Sequence, residues 1–217
     1  MIEVKNVTKT HGAVKTLDDI SLEVQNGEFI SIVGPSGSGK PTFLNIVAGL
    51  LTPTTGEVIV DGTSLYKLSL RERTTVRRKT FGFVFQIYNL ISYLTALENV
   101  EIPLYLAKAG QAEQERIASG LLEKVGLRDR LTHIPSELSA GEQQRVAIAR
   151  ALASDASIIF ADEPTGNLDV ETGRELMMHM KELNRGGVTF ILVTHDPEIA
   201  GFANRVMKIV DGRMAGI

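Results

Sequence analysis

The sequence contains no cysteine. A disulfide framework and thiol chemistry are therefore excluded, and the chain fits a reducing compartment. It also lacks any apolar run near the roughly 20 residues that a helix needs to span a bilayer. A membrane-spanning part of any larger assembly is thus expected on another chain. Charge of one sign is not in excess: 23 Lys and Arg face 26 Asp and Glu, a net charge of −3. That balance gives no global drive towards nucleic acid or an anionic membrane. Met1–Thr10 is polar and strand-like, unlike a signal peptide. No internal repeat or low-complexity tract occurs, and with few residues after Asp211-Gly212 no fused regulatory domain is expected. The 217 residues suffice for a sizeable core in one or two domains.

What is present is a dense glycine motif. Gly34–Thr42 reads GPSGSGKPT and follows G-x-x-x-x-G-K-[ST] except at its last position, where Pro41 replaces the hydroxyl residue. Before it, Glu28–Val33 is short, apolar and β-branched, which predicts a buried strand. After it, apolar residues at Phe43, Leu44, Ile46 and Val47 predict a helix over Thr42–Gly49. Between strand and helix, Gly34, Gly37 and Gly39 let the backbone wrap so that its amides, those of Ser36 and Ser38 among them, face a polyphosphate. Lys40 would reach the β- and γ-phosphates. Pro41 removes one amide donor and the hydroxyl that would ligate Mg²⁺. It also biases Lys40 away from helical angles, although a first helical turn tolerates proline. Thr42 does not substitute cleanly, because one residue along a helix turns the side chain by roughly 100°.

A second signal is LSAGEQQR, Leu138–Arg145. Ser139 and Glu142 are spaced as a capping box, and Val146, Ile148, Ala149 and Leu152 continue a buried helical stripe. Further on, Ser157–Asp162 (SIIFAD) is an apolar strand that ends in two acids, Asp162 and Glu163. One such acid can hold Mg²⁺, and a second can orient or deprotonate an attacking water. A third apolar strand, Thr189–Val193, runs into Thr194-His195-Asp196.

Elsewhere, Ile20–Val24 alternates and meets Asn26-Gly27, which predicts a hairpin into the strand at Glu28. Val58–Val60, Phe81–Phe85 and Arg205–Ile209 read as further strands. From about Ile87 to Leu152 the pattern is helical, with Ile117, Leu121, Leu122 and Val125 on one face. Arg71, Arg73, Arg77, Arg78 and Lys79 read as the solvated face of a short helix, with Leu68, Leu70 and Val76 beneath.

Taken together, the motifs resemble the nucleotide-binding subunits of ABC (ATP-binding cassette) transporters. The order is phosphate loop, Gln86 in GFVFQ, signature LSAGE, acidic strand IIFADE, Gly166–Asp169 (GNLD) and His195. The resemblance covers essentially the whole chain. It implies an α/β fold: a P-loop NTPase core of the ABC type, with an antiparallel β subdomain and an inserted α-helical subdomain. Residues 1–217 would form one ATP-binding domain, with 1–86 and 154–217 as core and 87–153 as the helical signature subdomain. By the same resemblance Lys40 and the loop from Gly34 to Thr42 hold the ATP phosphates. Gln86 and Asp162 coordinate Mg²⁺ or its waters, Glu163 is the general base, and His195 contacts the γ-phosphate. Ser139 and Gly141 would touch the γ-phosphate bound to the other subunit, in a head-to-tail dimer. His11 falls where an aromatic ring normally stacks on adenine. Ala140 and Glu142 depart from LSGGQ; Gly141 is kept, and Glu142 keeps the cap while adding a negative charge.

The implied function is ATP hydrolysis that powers a separate membrane permease, from a cytoplasmic position on the inner face of the membrane, with no nucleic-acid partner. GFVFQ, Asn89–Val100 and DEPTGNLD look closest to the branch serving lipoprotein release, macrolide efflux and cell division. Tyr88, Leu90, Tyr93 and Leu94 would form the groove for the permease. The alternatives are a nucleotide-dependent switch with hydrolysis impaired by Pro41, and a soluble cassette ATPase. Pro41→Ser restores an amide and a hydroxyl, each contact typically worth about 1.5–3 kcal/mol. It is expected to raise turnover at limiting Mg²⁺ by roughly tenfold. Phosphate release across a Mg²⁺ titration measures this, and superimposable curves would show that the proline has no effect.

Overall fold

The computed structural model describes residues 1–215. The chain opens with β1 (Ile2–His11) and β2 (Val14–Val24), then β3 (Phe29–Val33), α1 (Lys40–Val47), β4 (Thr55–Val60), β5 (Thr63–Ser64) and α2 (Leu70–Thr80). β6 (Phe81–Phe85) precedes three helices, α3 (Ala96–Leu106), α4 (Gln111–Lys124) and α5 (Ala140–Leu152). Strand and helix then alternate through β7 (Ile158–Asp162), α6 (Val170–Arg185), β8 (Thr189–Val193), α7 (Pro197–Ala200), β9 (Arg205–Val210) and β10 (Arg213–Ala215).

The short apolar runs form a six-stranded sheet in the order β10-β9-β3-β8-β7-β6. It is parallel throughout except for the antiparallel edge strand β10. Parallel strands are buried on both faces and so lose the polar alternation of a half-exposed strand. Their side chains divide between two cores. Phe29, Ile159, Ala161, Phe190 and Leu192 face α3, α4, α5 and α6, whose Val100, Leu122, Val146 and Leu176 belong to the same core. Ile30, Ile32, Ile158, Phe160, Ile191 and Val193 face α1 and the second sheet. That sheet, β2-β1-β4-β5, is antiparallel and contributes Ile2, Val4, Leu17 and Val58.

Three local expectations are corrected. Asn26-Gly27 does turn the chain, with Gly27 at φ 75° and Glu28 N–H donating to Gln25 O at 3.1 Å. It joins two sheets, however, and closes no hairpin, because β2 pairs with β1 while β3 pairs with β8 and β9. β2 alternates buried and exposed residues and suits a sheet with one wet face; β3 is apolar on both sides and needs neighbours on both edges. Secondly, the helix after the glycine loop starts at Lys40 and contains Pro41 in its first turn. Lys40 is helical despite the proline that follows: its side chain is buried and its Nζ is bonded to Gly34 O and Pro35 O. Thirdly, Leu70 is 77 % exposed and lies beneath nothing. The methylene stems of Arg73 and Arg77 pack against Gly49 instead, and the Arg73 guanidinium sits 4.9 Å over the Tyr66 ring.

α5 lies directly on β6. A Cβ added at Gly82 would be 2.3 Å from Ala151 O and 2.5 Å from Ile159 Cδ1. Gly82→Ala should therefore force the helix off the strand and destabilise the protein by about 1–3 kcal/mol. Urea unfolding reads this, and an unchanged midpoint would show that the contact yields freely.

Candidate functional site

Parallel register brings four strand ends to one line. Phe85 pairs with Asp162, Asp162 with Val193, and Val193 with Ile32. The residues that leave the sheet there are Gln86, Glu163, Thr194-His195 and, after Val33, Gly34. Ligands of open α/β sheets bind at this carboxyl end.

The glycine loop follows β3. A Cβ at Gly34 would lie 2.1 Å from Ile209 O and 2.8 Å from Ser38 Oγ, so the loop is backed tightly by β9. Gly39, at φ 101°, is the N-cap of α1, and a Cβ there would meet Thr16 O at 2.7 Å. Ser38 O accepts from Gly212 N–H at 3.2 Å. Gly37, at φ 81°, has open space beside it. Pro35, Ser36 and Gly37 are exposed, whereas Ser38, Gly39 and Lys40 are buried. The Ser38 hydroxyl is buried with no hydrogen-bond partner, a group that a bound anion would satisfy. Lys40 Nζ donates to Gly34 O at 2.6 Å and Pro35 O at 3.0 Å, so the one side-chain cation of the loop is folded over it. Pro41 is exposed and Thr42 half-buried.

Asp162 ends β7. Burial first, and then the adjacent Glu163 carboxylate, raise its pKa above the ordinary aspartate value; Lys40 pulls the other way. Glu163 occupies left-handed backbone at φ 46°, a costly conformation for a residue with a side chain. Its N–H donates to Val193 O at 2.9 Å. Its carboxylate accepts from Thr194 Oγ1 at 3.1 Å and from His195 Nδ1 at 2.7 Å. His195 thus stands on Glu163, exposed at the rim.

Gln86 is held from a different turn. Its Nε2 donates to Asn167 Oδ1 at 3.3 Å, and Asn167 Nδ2 donates to Gln86 O at 2.9 Å. A Cβ at Gly166 would lie 2.7 Å from Gln86 Nε2, so only glycine leaves room for this seat. With Nε2 occupied, Gln86 keeps its oxygen as a free acceptor. Among the described residues no three His, Asp or Glu side chains gather as metal ligands. One carboxylate and one amide oxygen suit Mg²⁺, which binds through few protein ligands together with substrate phosphates.

The remaining expected residues lie apart. Ser139 caps α5 and closes a capping box with Glu142. Gly141 packs on α6, where a Cβ would meet Thr172 Cγ2 at 2.4 Å. The charge of Glu142 is paired with Arg130 at 3.0 Å. No hydrogen bond among the described residues links this helix start to the glycine loop. His11 is exposed at the end of β1, 3.2 Å from Thr16 Oγ1. Two partners were not anticipated, Thr194 and Asn167. Both stand inside motifs already noted (THD and GNLD), as small polar neighbours of acids.

Beside the site, α2, β6, α3 and α5 border an open cleft of about 410 Å³, lined by Arg77, Arg78, Phe83, Phe85, Leu106 and Arg150 among others. Phe83 and Phe85 stack there with centroids 6.0 Å apart. Tyr88, Leu90, Tyr93 and Leu94 do not line it. Tyr93 is 79 % exposed, while Leu90 packs on the core.

Residues 17–166 match the family model described as ABC transporter. The chain belongs to that family. An uncharacterised ABC transporter ATP-binding protein of Methanocaldococcus jannaschii is 51 % identical over 221 residues, covering 100 % of this chain and 99 % of that protein. The macrolide export ATP-binding/permease protein MacB of Hyphomonas neptunium is 46 % identical over 218 residues; the match covers 99 % of this chain and 34 % of MacB. This cassette therefore spans about a third of that relative. The dimeric bacterial ABC transporter cassette MJ0796 superposes with a TM-score of 0.90 at 46 % identity, covering 100 % of this chain and 97 % of that one. A post-hydrolysis dimer of MJ0796 bound to ADP and Pi gives 0.89 at 45 % identity, with the same coverage.

The raised pKa of Asp162 means that folding disfavours its ionised form. At any pH above the ordinary aspartate value the group therefore works against stability. Asp162→Asn should raise the thermal midpoint of the nucleotide-free cassette by about 2–4 °C, the effect of about 1 kcal/mol in a chain of this size. Scanning calorimetry measures it. An unchanged or lower midpoint would mean that Lys40 already compensates the carboxylate.

Proposed function

We propose that this cassette binds ATP with Mg²⁺, closes head to tail on a second cassette, and hydrolyses ATP to drive a membrane permease. The protein is an ABC-type ATPase. The observation that carries the finer reading is the union, at one sheet edge, of an orphaned buried Ser38 hydroxyl, the Lys40 ammonium and the Asp162-Glu163 pair.

In this reading the phosphates displace the Gly34 and Pro35 carbonyls from Lys40 and give the Ser38 hydroxyl its partner. The open side of Gly37 admits them without a clash. Gln86 and Asp162 supply the oxygens for Mg²⁺, which neutralises phosphate charge when bound. Glu163 accepts a proton from the water that attacks the γ-phosphorus as the bond to the bridging oxygen breaks. Thr194 and His195 already hold that carboxylate in place, and His195 then turns to the γ-phosphate. Ser139 and Gly141, remote from their own loop, serve the nucleotide of the partner cassette. His11 lies against adenine. The division into a core of 1–86 and 154–217 and a helical part of 87–153 belongs to the same reading.

The cleft floored by Phe83 and Phe85 is the dock for a permease segment, with Arg77 and Arg78 at its rim. The likeness to MacB, whose name joins ATP-binding and permease functions, supports export as the task. No helix among the described residues is long and apolar enough to cross a membrane. In this reading, which the family supports, the cassette works from the cytoplasmic face through its permease. A switch with hydrolysis disabled by Pro41 gains no support: the proline lies in a regular first turn and leaves Lys40 in place.

Glu163→Gln removes the base while keeping size and one hydrogen-bond acceptor. Turnover should fall by about 10²–10⁴-fold, and ATP should convert the variant from monomer to dimer on gel filtration. A variant that stays monomeric with ATP and hydrolyses normally would remove Glu163 from the role.

A further inference from the structure

We propose that Gln144 is a positioning residue for hydrolysis: from the middle of α5 its amide fixes the spacing between Gln86 and Glu163. The inference rests on the ATPase reading above and adds a residue to it. Gln144 is fully buried. Its Nε2 donates to Phe85 O at 3.1 Å and to Pro164 O at 2.7 Å. The first carbonyl belongs to the residue immediately before Gln86, the second to the residue immediately after Glu163. One amide group thus bridges the ends of β6 and β7 where the ladder between them stops, since Phe85 and Asp162 are its last pair.

A second side chain of the same helix holds the other end of the segment that carries Gln86. Arg150 donates to Asn89 O at 2.5 Å and to Tyr88 O at 2.8 Å. Residues 85–89 are therefore strapped to α5 at both ends, while Gln86 itself reaches to Asn167. The geometry of the acid pair and the glutamine is set from the helix as well as from the sheet.

A space-filling role does not account for Gln144. Its Oε1 is buried with no partner, an arrangement that costs a folded protein stability. An apolar side chain would avoid that cost but would leave two strand-end carbonyls without donors. The amide satisfies two carbonyls and leaves one oxygen unpaired, and what it adds beyond filling space is the bridge. Because Ser139 and Gly141 open the same helix, any movement of α5 on meeting a partner cassette reaches Gln86 through Gln144 and Arg150, and the Glu163 turn through Gln144.

Gln144→Met keeps the shape and removes both donors. With Mg²⁺ saturating, kcat should fall by about 10–100-fold, the usual effect of losing a group that orients metal ligands. The KM for ATP should stay within about twofold, because the phosphate loop lies on β3 and α1 and is not touched. The Mg²⁺ concentration for half-maximal turnover should rise as Gln86 loosens. Gln144→Asn, which keeps the amide on a shorter stem, should show the same split to a smaller degree, and it carries the test if the methionine variant does not fold. A folded variant with unchanged kcat, or one whose activity falls only with its folded fraction, overturns the proposal. A wild-type protein without Mg²⁺-dependent turnover overturns the functional reading along with it, so the two failures are told apart.

Discussion

The chemistry of this protein depends on strand register. β6, β7, β8 and β3 lie in parallel, and pairing Phe85 with Asp162, Asp162 with Val193 and Val193 with Ile32 makes their ends flush. A slip of one residue in any of them would turn every side chain of that strand to the opposite core. Phe160, for example, would leave the edge-to-face contact with Phe81 at 5.1 Å and enter the space of Ala161. Volume differences of that size are what make the register unique, and the register puts Gln86, Glu163 and His195 side by side.

The site itself runs against the preferences of the fold. Asp162 ionises in a place that disfavours its charge, Glu163 holds a left-handed backbone, and the Ser38 hydroxyl is buried without a partner. Such features persist only where surrounding structure over-determines them. Here the surroundings are two well-packed cores on either face of one sheet. In the proposed function a polyphosphate with a divalent cation would relieve the charge and the orphan hydroxyl together, which would couple binding to folding.

Much of this was legible from residues alone, for identifiable reasons. Five-residue apolar runs announced the central strands, because parallel strands buried on both faces have no polar side to hide them. Ser139 and Glu142 announced the start of α5 through a spacing that only a helix start uses. What misled was local chemistry with a distant cause. Asn26-Gly27 marks a sharp turn whether or not the flanking strands pair, and the choice was made by the burial of β3. The proline rule for Lys40 gave way to the bonds its Nζ makes to Gly34 O and Pro35 O. Leu70 looked like the floor of its helix until arginine stems proved to do that work. Asn167 and Gln144 act on backbone carbonyls and on one another's neighbours, and no periodicity or motif spacing records a carbonyl. The cleft on Phe83 and Phe85 was not legible either, since its aromatic floor belongs to an edge strand that reads like any core strand.

The glycine loop is completed by residues from far down the chain. Gly34 is pressed against Ile209 O, and Ser38 O takes its hydrogen bond from Gly212. A nascent chain that has emerged as far as α1 carries the entire phosphate motif yet has no wall behind it. Contacts of such long sequence separation close late in folding. Competence to hold a nucleotide is thereby tied to synthesis of β9 and the turn at Gly212, and a product truncated before them would carry the motif without the wall behind it.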